Sequence, residues 1–139
     1  MRIIPLLFVL FVGFGVYAQS EENQEAQTGP KVVFEETVHE FGDITQGDRV
    51  EHVFKYMNNG TEPLIISNVK TTCGCTAPDW SREPLAPGES ADLTVRFNSS
   101  GKNGMINKTI TINSNAVNST ERIRITTNVL PRATETDPQ

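Results

Sequence analysis

Apolar and polar residues alternate with a period of two along most of this chain, and only an extended strand with one buried face uses that pattern. From Asp48 to Asn58, Val50, His52, Phe54 and Tyr56 share one face, and Glu51, Val53, Lys55 and Met57 share the other. Leu93, Val95 and Phe97 alternate with Asp92, Thr94 and Arg96, and two later runs set Ile106, Ile110 and Ile112, then Ile123, Ile125 and Val129, against polar neighbours. No stretch keeps a helical apolar stripe for ten residues, so the chain is all-β. Lys31 to Glu35 offers a first strand, and Val38 to Ile44 a short second one anchored by Phe41 and Ile44. Asn58-Asn59-Gly60 has the chemistry of a turn that uses positive φ, with Leu64 to Lys70 as the partner strand beyond it. Thr71 to Ser90 carries Pro78, Pro84 and Pro87 and reads as an irregular loop. Seven short strands spaced by turn signals fit two packed antiparallel sheets, with a small closed barrel as the competing arrangement.

The first eighteen residues differ in composition from the rest. Arg2 precedes Ile3 to Val16, a run that is apolar or Gly apart from Pro5, and Val16-Tyr17-Ala18 supplies a cleavage signature. Residues 1–18 are therefore expected to be a signal peptide, shorter than the roughly 20 residues that span a bilayer, so that no transmembrane anchor remains after cleavage before Gln19. The predicted location is periplasmic or secreted. Residues 19–30 and 131–139 hold little to bury and read as a disordered linker and tail around a domain over residues 31–130. Without Arg2 the balance is eleven basic against seventeen acidic residues, or minus six, which argues against nucleic acid as a partner.

Cys73-Gly74-Cys75 is the reactive-looking constellation, and it stands directly after a strand. Thiols this close in an oxidising compartment can bridge, since a turn at Gly74 permits Cα atoms within roughly 7 Å. A loop so small hardly constrains the unfolded chain, so such a bridge adds little stability. Two other readings stay open: a soft-metal site in which both thiolates take copper or zinc, and thiol-disulfide exchange. His39 and His52 could complete a metal site, and Met57 or Met105 could serve copper, whereas the blander reading makes each histidine a hydrogen-bonded residue at the core's edge. Trp80 either plugs the end of the sandwich or anchors a partner. Neither histidine has a Ser or Cys at a spacing that marks a nucleophile and its base, so no enzyme activity and no catalytic residue are expected.

Several blocks recur in one order: His39-Glu40-Phe41-Gly42-Asp43-Ile44 with Gly47, His52-Val53-Phe54-Lys55-Tyr56-Met57-Asn58-Asn59-Gly60, Pro63-Leu64-Ile65-Ile66, Cys73-Gly74-Cys75-Thr76, Pro87-Gly88-Glu89 and Lys108-Thr109-Ile110-Thr111-Ile112. In these the chain resembles the bacterial domain-of-unknown-function family fifteen-seventy-three from about Val33 to Val129. Asn59 stands where the family commonly has Thr. The resemblance implies an immunoglobulin-like antiparallel β-sandwich, related to the domains of Hydin, abnormal-spindle and major sperm proteins and common in exported proteins of Bacteroidetes-type bacteria. It implies no activity. The expected function is a non-catalytic envelope module that binds a protein or surface polymer through a sheet edge or its loop end. A periplasmic metal-handling protein using Cys73 and Cys75 is the first alternative, and a thiol-disulfide redox protein the second.

Overall fold

Strands form where the alternation runs: β1 (Val32–Phe34), β2 (Val38–Thr45), β3 (Arg49–Asn58), β4 (Ile66–Thr71), β5 (Thr76–Trp80), β6 (Ser90–Asn98), β7 (Gly104–Ser114) and β8 (Thr120–Leu130). The computed structural model describes residues 28–134. The expected signal peptide and start at Gln19, most of the expected linker and the end of the expected tail lie outside them.

Two four-stranded sheets, in the orders β1-β3-β6-β5 and β2-β8-β7-β4, face each other as an immunoglobulin-like sandwich. Phe54, Tyr56, Leu93, Val95 and Phe97 fill the gap from one sheet, and Ile110, Ile112, Ile123, Ile125 and Val129 fill it from the other. These are the inward positions of the alternating runs, so the sequence pattern and the packed core coincide.

The described residues form eight strands where seven are expected, because β5 lies inside the proline-rich loop. A proline breaks a ladder only on the side that its nitrogen faces. Asn98 N donates to Cys75 O, which turns the backbone groups of Cys75, Ala77 and Asp79 toward β6 and leaves the Pro78 nitrogen at the free edge.

The sandwich is also not wholly antiparallel, since β2 runs parallel to β8. The chain pairs with β3 as β1, crosses at residues 35–37, and continues in the same direction beside β8 as β2. Phe41 and Ile44 are three residues apart, so regular alternation would point them to opposite faces. A bulge between Glu40 and Asp43, with Gly42 at φ 74°, brings both against the core, and the Thr127 hydroxyl holds the bulge by donating to Gly42 O at 2.8 Å.

A third correction concerns the Asn58-Asn59-Gly60 turn. It does not join partner strands, because β3 and β4 belong to different sheets, and none of its residues has positive φ. The Asn58 side chain organises the crossing instead. Its Oδ1 accepts from Lys31 N at 3.2 Å and Gly60 N at 3.0 Å, and its Nδ2 donates to Glu62 O at 2.7 Å and Leu85 O at 2.9 Å. Gly60 is required there because a Cβ would be driven into the backbone at Gly29 and Lys31. Gly29 and Pro30 are buried, and Gly29 N donates to the Thr61 hydroxyl at 2.8 Å, so the chain is tied to the sandwich before β1 begins.

Candidate functional site

Three places carry the residues to which the sequence draws attention. The first is the short loop between β4 and β5, where Cys73 and Cys75 are joined by a disulfide with Cα atoms 5.3 Å apart. The Thr71 hydroxyl braces the loop by donating to Cys73 O at 3.0 Å, and Thr76 N bonds back to Cys73 O at 3.4 Å. Gly74 and Cys75 rim a shallow cleft of about 400 Å³ whose floor includes Arg49, Glu51, Ala77 and Arg96 on the outer face of the β3-β6-β5 sheet. Arg96 Nε reaches Glu51 Oε2 at 2.7 Å there, and its Nη1 lies 3.9 Å from Asp79 Oδ2. In this oxidised state neither sulfur is a thiolate, the form that binds a soft metal or attacks another disulfide.

The second place is the seam between β2 and β3. His39 and His52 stack face to face across it, with ring centroids 3.4 Å apart and planes 6° from parallel. Phe41 meets the His39 ring edge-on at 4.7 Å, and Phe54 meets His52 at 4.8 Å. Glu36, in the crossing between β1 and β2, pairs with His52 Nε2. Burial holds the His39 pKa below its ordinary value, the His52 charge lowers it further, and Glu36 opposes both. The structure does not bring these histidines to the cysteines. His52 opposes Val95 on the inward face, and Cys75 lies beyond β6 at the outer cleft, a separation of at least two strand spacings, or roughly 9–10 Å. Glu36 escaped sequence reasoning because it belongs to no motif, and its approach to His52 depends on the crossing between sheets.

Trp80, at the end of β5, is half-buried against the core, with the Arg82 guanidinium 4.4 Å above its ring. Its indole Nε1 is buried without a hydrogen-bond partner among the described residues.

The third place is a sheet edge. β1 opposes Tyr56, Met57 and Asn58 of β3, and among the described residues Arg49 to Phe54 have no strand neighbour on that side. The hydrogen-bond parity follows from two bonds: Asn58 N donates to Glu89 O on the β6 side, and Glu35 N donates to Lys55 O on the β1 side. Arg49, Glu51 and Val53 therefore present their backbone N–H and C=O groups outward. The β5 edge is closed by comparison, since Pro78 has no N–H and the Thr76 carbonyl shares the Thr71 hydroxyl proton with Cys73 O, at 3.3 Å.

A family model described as "Protein of unknown function (DUF1573)" matches residues 32–129. No curated protein matches the chain in sequence. Among solved structures, a protein of unknown function from Porphyromonas gingivalis W83 is similar at 19% identity and TM-score 0.64, covering 78% of this chain and 51% of that one. The ASH/PapD-like domain 7 of human CEP192 aligns at 11% identity and TM-score 0.63, covering 83% of this chain and 98% of the domain. The secreted serine protease VesC from Vibrio cholerae aligns at 18% identity and TM-score 0.55, over 78% of this chain and 24% of the protease. This chain thus spans about half of the Porphyromonas protein and about a quarter of VesC. At these identities the likenesses establish the immunoglobulin-like fold alone.

Proposed function

This chain belongs to the DUF1573 family, and from that premise we propose that it is a non-catalytic binding module of the cell envelope, periplasmic or secreted, that captures an extended segment of another envelope protein by strand addition. The observation that carries this reading is the open edge of β3 from Arg49 to Val53. An unpaired edge is a template for a further strand, and main-chain hydrogen bonds then supply affinity while flanking side chains select the partner. Here the flanking positions are Glu51, held by Arg96, and Val53, which is 39% exposed. They suit a strand of mixed polarity with an apolar residue over Val53. Export rests on the leader of residues 1–18. The copper or zinc reading through Cys73 and Cys75 would first require their disulfide to be reduced, and thiol exchange would have to proceed without the helix N-terminus that usually lowers a thiol pKa.

A photo-crosslinker at Glu51 tests the proposal. Crosslinks in intact cells should converge on one envelope protein, identified by mass spectrometry, whose purified segment binds the wild type. Val53→Pro removes an N–H that faces the free edge and leaves the β6 ladder in place, so it should keep the fold and lose that binding. Equal binding by Val53→Pro would reject strand addition, and crosslinks confined to glycan would transfer the reading to a surface polymer.

A further inference from the structure

The seam between β2 and β3 places three metal-competent donors together. One ligand atom each from Glu36, His39 and His52 lies within 4.8 Å of the others. We propose that these residues form a binding site for one divalent transition-metal ion of the imidazole-preferring kind, with zinc as its probe, and that the site leaves at least one coordination position open to solvent.

Two imidazoles and one carboxylate make up a donor set that suits zinc and its neighbours in the first transition row, and suits magnesium or calcium poorly, since those ions favour oxygen. With bonds of about 2.0–2.1 Å, tetrahedral ligand atoms stand roughly 3.4 Å apart, so donors that lie within 4.8 Å of one another need side-chain movement to reach one ion. The fold provides for that movement on one side only. Glu36 occupies the crossing between strands, and its side chain is 43% exposed, whereas the His52 side chain is 23% exposed. The histidines ride on paired strands, with His39 opposite Ile125 and His52 opposite Val95, and Phe41 and Phe54 stand against their rings. The carboxylate can therefore swing to an ion, whereas the two rings, stacked with their planes 6° from parallel, must open out of the stack by tens of degrees before both nitrogen lone pairs converge on it.

A histidine ligates as the neutral imidazole, so an ion at this site competes with protons for both rings. Three protein ligands leave the remaining position of a four-coordinate ion for water or for a donor from elsewhere, and the exposed side of Glu36 is where it would open.

The site is independent of the strand-addition reading, because it uses side chains at the seam and the other uses the backbone edge of β3. It is also independent of Cys73 and Cys75. Calorimetric titration of the metal-free, oxidised protein with zinc should give one ion per chain, undisturbed by excess magnesium. His39→Gln and His52→Gln should each weaken binding by more than about tenfold, and Glu36→Gln should weaken it less. Cys73→Ser with Cys75→Ser, and Val53→Pro, should bind zinc like the wild type. Should a histidine variant fail to fold, the imidazole nitrogen shifts of the wild type report the same event, and zinc must move those of both His39 and His52. The proposal is overturned if zinc gives neither heat nor imidazole shifts. Undiminished binding in the folded His39→Gln/His52→Gln double variant overturns it equally.

Discussion

Replacing Asn58 with Ala is expected to be among the most damaging single changes in this domain, although Asn58 is polar and lies at the end of a strand. Its side chain is fully buried, and both donors and both acceptor positions of its amide are used. The alanine variant leaves Lys31 N, Gly60 N, Glu62 O and Leu85 O without these partners at the point where the chain crosses from one sheet to the other. A net contribution of about 1 kcal/mol per bond puts the loss near 4 kcal/mol, and a value of roughly 3–5 kcal/mol allows for water reaching some of the four groups. That is a large part of the 5–15 kcal/mol that typically holds a small domain together. Asn58→Asp separates hydrogen bonding from shape. It keeps the volume but points carboxylate oxygen at the carbonyls of Glu62 and Leu85, so it should cost at least as much. Urea unfolding followed by circular dichroism measures both. A loss below about 1.5 kcal/mol for the alanine variant, or an aspartate variant as stable as the wild type, would refute the reasoning.

Phe54→Ala should cost roughly 3–5 kcal/mol in the same assay, since Phe54 is wholly buried between the sheets, and a loss under about 1 kcal/mol would contradict that packing. Cys73→Ser with Cys75→Ser should leave the domain folded within about 3 kcal/mol of the wild type, because the bridge closes so short a loop. In metal-free protein, the lowered His39 pKa means that the unfolded chain binds the proton first as pH falls below 6.5. Stability should therefore be full above that pH and decline below it, and His39→Gln should flatten this part of the profile in denaturation series at stepped pH.

The alternating runs made the core legible because each keeps its period long enough to name an inward face, and Phe54, Phe97, Ile110 and Ile125 all point where the pattern sends them. What escaped the sequence depends on position in the sheet. Pro78 argues against a strand unless one knows that its nitrogen faces a free edge. Asn58 looks like any turn asparagine, and only its burial beneath the crossing shows why four backbone groups converge on it. Residues 64–70 follow β3 closely enough to suggest a hairpin, but Leu64 bridges Leu85 and β4 pairs with β7. For the candidate sites, His39 and His52 stood out individually while their meeting did not. Their contact, and the approach of Glu36, follow from an edge strand divided between two sheets.

That division also governs when the domain can finish folding. Among the described residues β2 has one sheet partner, β8, which is also the last strand there: Val38 lies opposite Arg124 and Thr45 opposite Leu130. A chain synthesised or threaded from its N-terminus holds β2 without a partner until nearly all of the domain has arrived. Closing that parallel pair late, across so long a stretch of sequence, places the domain with slow folders that complete in milliseconds to seconds. Until then the second sheet lacks its edge, and His39 has no fixed place against the ring of His52.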